Sequence, residues 1–130
     1  MWRLMHDTGA GPFAPATPEV IIATVREAVA AGTGETWIVN DAGPSLAVIV
    51  GGERVFAMYL AGEGDAGFHA IDPTGSVDIE GEYQLRNGQL DRISDLDTVP
   101  ARHAVDIVAH LLATGERWTG VSWLDDAAGS

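Results

Sequence analysis

Residues 99–123, VPARHAVDIVAHLLATGERWTGVSW, decide how the rest of this 130-residue chain is read. Pro100 suits a first helical position, where a missing N–H costs nothing. Ala104, Val105, Val108, Leu111 and Leu112 then recur at helical spacings and make one apolar stripe. Gly115 ends the helix, being the residue most at ease in the left-handed cap conformation. Trp118, Thr119, Val121 and Trp123 are strand formers bracketing Gly120. A helix followed at once by an aromatic strand hides both apolar faces only by folding back onto a sheet.

Upstream, the pattern supplies that sheet and a second helix. Thr17, Pro18 and Glu19 are a cap, a first-turn proline and an acid at the positive end of the helix dipole. Ile21, Ile22, Val25, Ala28 and Val29 form the buried face, and Gly32 with Gly34 stops the helix. From Glu35 to Ile93 the period becomes strand-like. Strands are predicted over 36–41, 46–50, 54–60, 68–72, 77–85 and 89–93. Gly51-Gly52 and Asn87-Gly88 read as hairpin turns. The run 46–50 is continuously apolar, as in a central strand covered on both faces. In 77–85, Val77, Ile79, Tyr83 and Leu85 alternate with Asp78, Glu80, Glu82 and Gln84, which puts the acids on one face. Short connections exclude parallel crossover units. The expected fold is a single two-layer α+β domain spanning residues 1–130. Its core is an antiparallel meander of five to six strands, with two helices on one face and a final strand after the second helix. Residues 1–16 read as a loose arm, with Trp2 and Leu4 able to form an edge strand and Gly9, Gly11, Pro12 and Pro15 breaking it. Residues 94–98 read as an acidic linker, and 125–130 as a frayed tail.

Composition narrows the function. The chain has 46% apolar and 20% charged residues, which is ordinary for a folded domain, and it has no cysteine. A disulfide framework and a thiolate metal site are therefore out. No signal peptide or membrane-spanning run is evident, so a cytoplasmic protein without membrane attachment is expected. Nineteen acidic residues face seven basic ones, all arginine, for a net charge of −12. Such a surface repels phosphate, which argues against DNA or RNA as a partner, and speeds encounter with a basic protein.

No catalytic pattern emerges. The carboxylates have no glycosidase or hydrolase context. Gly43-Pro44-Ser45-Leu46-Ala47 lacks the second glycine of a nucleophile elbow. Gly51-Gly52-Glu53 and Gly62-Glu63-Gly64 neither precede a helix nor carry a lysine, so they are not phosphate loops. His103, Asp106 and His110 share a helix face and could hold zinc, but exposed polar residues belong opposite an apolar stripe anyway, and no motif positions a further ligand. Neither a metal nor another cofactor is expected. The acidic face Asp78-Glu80-Glu82 reads either as a solvated strand or as a docking ridge for arginines and lysines, with Glu63 and Asp65 able to extend it. Of the four tryptophans, Trp37 and Trp123 are expected to face the helices. Trp118 is the best candidate for partial exposure, with Asp125 near it at the end of the last strand.

Several motifs together resemble one family of immunity proteins from bacterial polymorphic toxin systems. The helix opens after Val99-Pro100 and ends in Thr114-Gly115-Glu116-Arg117, followed two positions later by Gly120-Val121-Ser122-Trp123. The centre has the apolar run 56–60, a glycine-rich turn, Gly67-Phe68-His69, and then Leu85-Arg86-Asn87-Gly88-Gln89. The likeness covers residues 18–124, and the chain departs from it at Trp118, where the family usually has proline. The resemblance implies a non-enzymatic cytoplasmic α+β protein, made beside a secreted nuclease or nucleic-acid deaminase toxin, that binds and neutralises the toxin. The expected contact residues are Glu63, Asp65, Asp78, Glu80 and Glu82, with Trp118 and Asp125 second. The rival reading is an adaptor or secretion-chaperone domain for another basic protein. A small enzyme would instead need a deep pocket lined by His69, His103 or His110.

Overall fold

The computed structural model describes residues 1–6 and 14–127. Within them the protein is α+β, with two helices, a largely antiparallel sheet, and a last strand that follows the second helix. Helix α1 (Pro18–Ala31) begins as its sequence dictates. The Thr17 side chain accepts from the Val20 N–H, Pro18 occupies the first turn, and Gly32 closes the helix at φ 75° by donating to Ala28 and Val29. Helix α2 (Ala104–Thr114) closes at Gly115 in the same left-handed conformation.

The strands are β1 (Trp2–His6), β2 (Ala14–Pro15), β3 (Thr33–Asn40), β4 (Ser45–Gly51), β5 (Arg54–Leu60), β6 (Phe68–Ile71), β7 (Glu80–Gln84), β8 (Leu90–Ser94), β9 (Val99–Pro100) and β10 (Ser122–Asp125). The main sheet runs β10-β6-β5-β4-β3-β1-β2, with β9 beside the start of β5, and β7–β8 form a separate hairpin. The 1–16 segment is thus not simply a loose arm. Residues 2–6 pair with β3 over the full strand, from Trp2 opposite Asn40 to His6 opposite Thr36. The predicted breakers Gly9, Gly11 and Pro12 lie outside the described residues, as does the tail 128–130. Asp125 is the last residue of β10, so the predicted fraying does not begin there.

Both helices cover one sheet face. Ile21, Val25 and Ala28 of α1 and Ala104, Ile107, Val108 and Leu111 of α2 pack against Ile38, Leu46, Val48, Val50, Val55, Ala57 and Tyr59. Each of these side chains is at least nine-tenths buried. At about 25 cal/mol per Å² of apolar surface removed from water, this layer is the main source of stability.

Several boundaries differ from the sequence reading, that of β3 among them: it begins at Thr33, with Gly34 in the ladder opposite Val50. Helix α2 starts at Ala104, not at Pro100, because Val99 and Pro100 pair with Val55 and Arg54 while the Ala101 N–H donates to the Glu53 carbonyl. Proline is tolerated at such a short strand, where no ladder donor is required of it. The β4–β5 turn is Gly52-Glu53, with Gly51 still in the ladder opposite Arg54. The last strand begins at Ser122. Before it the chain loops so that the Trp118 carbonyl accepts from Trp123 Nε1 at 2.8 Å. The Trp118 indole folds over Gly120 so closely that a Cβ there would collide with it. The strand predicted over 77–85 is only β7, with Val77 and Asp78 in a turn ahead of it.

A candidate docking face

Side chains alternate across a strand, so the residues between the core positions point away from the helices. On β3 these are Glu35, Trp37 and Val39; on β4, Ala47, Ile49 and Gly51; on β5, Arg54, Phe56, Met58 and Leu60. Met5 of β1 and His69 of β6 continue the row, opposite Trp37 and Met58. Trp37 therefore does not meet the helices as the sequence suggested, whereas Trp123, like Trp2 and Trp118, packs partly against that core. The alternation in 35–39 was correct, but a period of two cannot say which of two apolar faces a helix will cover.

One end of this second face is covered by the β7–β8 hairpin, which packs across β4 and β3. Three contacts fix it. Tyr83 is fully buried, with its ring against Gly51, where any Cβ would sit 2.6 Å from the ring carbons and from the Glu82 carbonyl oxygen. At the hairpin tip the Arg86 N–H donates to Glu35 Oε1 at 3.1 Å, and Arg86 Nη1 reaches Met5 Sδ. At its base Arg54 draws three segments together: Nε donates to Thr98 Oγ1 at 2.9 Å, and Nη2 donates to Asp72 Oδ2 at 2.8 Å and to the Asp95 and Thr98 carbonyls at 3.0 Å. Hydrogen bonds from Thr74 and then from Arg54 hold the Asp72 carboxyl well below the usual carboxylate range, at about 2. The predicted linker 94–98 is thus a structural junction, with Thr98 fully buried.

Beyond the hairpin, Trp37, Val39, Ile49, Phe56, Met58 and Leu60 remain half-buried on the sheet surface. Trp37 Nε1 donates to Glu35 Oε2 at 2.7 Å, so the indole's polar edge is satisfied and its apolar body lines the face. Phe56 stacks on His69 at 5.8 Å between ring centroids. His69 Nδ1 lies 2.8 Å from Asp126 Oδ1 and Nε2 lies 2.9 Å from Asp97 Oδ1, so both ring nitrogens sit at hydrogen-bond distance from a carboxylate. This bridge joins the end of β10, β6 and the turn after β8.

The predicted acidic set is divided. Glu80 and Glu82 point outward from the hairpin and are exposed, as alternation required, but Glu82 faces Arg92 across the ladder. Asp78 is exposed in the turn before β7, off the strand face. Glu63 and Asp65 are exposed in the β5–β6 loop. That loop adjoins Leu60, which pairs with Ser45, at the end of β4 opposite Gly51. Six residue steps along β4 separate the two groups by about 20 Å, given the strand rise. They do not form one ridge; they flank the apolar face at its two ends. At the Glu63 end lies a depression of about 510 Å³ lined by Val39, Asn40, Asp41, Ser45, Leu60 and Glu63. Asp41 there is held by Arg3 at 2.9 Å, which lowers its pKa, while keeping 49% of its side chain exposed. Glu63, Asp65, Glu80 and Glu82 have no cationic partner within 4 Å among the described residues.

Trp118 is half-buried on the helix side, its ring 5.7 Å from His103, and Asp125 is half-buried opposite Phe68. Neither borders the apolar face as Glu63 does. His69, His103 and His110 do not converge. Among the described residues no three His, Asp or Glu side chains are grouped to hold an ion, and no helix is long and apolar enough to cross a membrane. Sequence reading missed Trp37, Phe56, Met58 and Leu60 as surface. The available signal was the apolar character of both parities in 54–60. No protein-family model matches the chain, and no curated protein matches it.

Proposed function

We propose that this chain is an immunity protein, made in the cytoplasm, that binds a cognate secreted toxin domain one-to-one and neutralises it. The toxin is a nuclease or nucleic-acid deaminase, whose substrate surface is basic. The observation that carries this reading is the apolar sheet face flanked at both ends by exposed carboxylates, of which Glu63, Asp65 and Glu80 have no cation within 4 Å among the described residues. Apolar contacts at the centre and charges at the rim are the anatomy of a protein interface. A net charge of −12 adds steering toward a cationic partner and away from nucleic acid. The motif resemblance over residues 18–124 supports the same reading.

The test is co-purification with the product of the neighbouring gene, followed by titration at two salt concentrations. Tight one-to-one binding that weakens with salt is expected. Replacing Glu80 by arginine should slow association and flatten the salt dependence while leaving the fold intact, and full protection of cells by that variant would remove Glu80 from the interface. Binding only to a basic protein that is not a toxin would assign the chain to the adaptor class instead.

A further inference from the structure

Resting on the immunity reading, we infer that the toxin seats an apolar segment flanked by arginine or lysine on the helix-free sheet face. Its apolar side chains lie over Trp37, Phe56 and Met58, and one cation enters the depression between Asp41 and Glu63.

The geometry leads there in steps. The face spans β1, β3, β4, β5 and β6, which is four strand spacings or about 19 Å. After the hairpin has covered one end, Trp37, Val39, Ile49, Phe56, Met58 and Leu60 are left, far fewer than the roughly 20–30 residues a side of a stable interface. The flanking carboxylates must therefore also lie inside the contact. The hairpin end is held rigid by Tyr83, Arg54 and Arg86, so it acts as a fixed wall and not as a lid. The opposite end is open and ends in the depression, where Val39 and Leu60 offer apolar wall and Glu63 and Asp41 offer charge. A long cationic side chain suits such a site, because its methylene stem covers apolar surface while its head reaches a carboxylate. Arg3 already reaches both Asp41 oxygens, at 2.9 and 3.5 Å, so the newcomer meets the exposed part of that carboxylate and all of Glu63. A second copy of this chain is disfavoured as occupant by charge, since each copy brings the same acidic rim.

Charge sets association and apolar contact sets dissociation, so the two parts of the surface separate kinetically. The experiment measures on- and off-rates for the catalytically inactivated toxin domain encoded by the neighbouring gene, at two salt concentrations. Wild type is compared with Trp37→Ala, Met58→Ala, Met58→Gln, Glu63→Gln and Glu27→Arg, the last an exposed position on α1. Thermal unfolding checks each fold, and Met58→Gln keeps the side chain's length if the alanine variants destabilise the sheet. Trp37→Ala and Met58→Gln should speed dissociation at least tenfold without changing the salt dependence. Glu63→Gln should slow association severalfold and flatten the salt dependence, and Glu27→Arg should alter only the long-range steering. Wild-type off-rates in folded Trp37 and Met58 variants would overturn the inference and leave the immunity reading standing. Absence of wild-type binding would overturn both.

Discussion

Tyr83 offers the sharpest test of how the hairpin is attached. Among the described residues it is the largest fully buried side chain, and its hydroxyl has no partner at full hydrogen-bond distance there, although the Thr98 side chain lies near enough to oppose part of the effect of burial. Burial accordingly pushes its ionisation upward. A buried hydroxyl without a partner costs about 1–3 kcal/mol relative to water. Replacing Tyr83 by phenylalanine removes that cost and keeps the ring against Gly51. It should therefore raise stability by about 1 kcal/mol, or raise Tm by about 3–5 °C for a domain of this size. Replacing it by alanine removes the ring itself and should cost about 3–5 kcal/mol, the range for deleting a buried aromatic side chain. Urea unfolding followed by far-ultraviolet circular dichroism gives both numbers from one titration series. A phenylalanine variant less stable than wild type by 1 kcal/mol or more would refute the reasoning, because the hydroxyl would then be making a bond that matters.

Gly51 has no need of a positive φ, so its requirement is steric. Gly51→Ala should cost about 1–3 kcal/mol, with a smaller but nonzero cost in the Tyr83→Ala background because the Glu82 carbonyl still crowds the site. A cost that does not change between backgrounds would show the two residues uncoupled. Asp72 is held near 2 in the folded state and titrates near 3.9 unfolded. Its depressed value contributes stability above pH 4 that is lost as pH falls through about 2. With 17% of the side chain exposed, the contribution is about 1–2 kcal/mol. Asp72→Asn should remove this part of the acid transition, seen as a flatter dependence of Tm on pH below 4. His69→Ala removes both carboxylate contacts and should cost about 1–3 kcal/mol. Faster amide exchange in β10 would accompany it, and unchanged exchange there would mean that the bridge does not hold the strand.

What could be read without coordinates follows the range of each interaction. Helix α1 was legible to its ends because cap, proline and stop all act within a turn. The start of α2 was not, because Pro100 suits both a first helical turn and a short strand, and the choice is made by Val55, far away in sequence. The run 46–50 announced a strand covered on both sides, and the hairpin with Tyr83 is what covers part of the second side. Alternation in 80–84 placed Glu80 and Glu82 outward. It could not reveal that Glu63 and Asp65 lie at the other end of β4, since their separation is a property of the sheet. Trp37 was assigned to the wrong layer for the same reason. Arg54 looked like any strand-end arginine, because its partners Asp72, Asp95 and Thr98 come from two later segments.

The strand order carries a consequence for how the protein assembles and breathes. Strands β3, β4 and β5 are joined by tight turns, so their ladders close small loops at little entropic cost. By contrast, β1 joins β3 across the whole of α1, and β10 joins β6 only after the hairpin and α2 have been made. Long closures come late and give way early. The centre of the sheet should therefore form first and open last, and amide exchange should be fastest at its margins, β10 foremost.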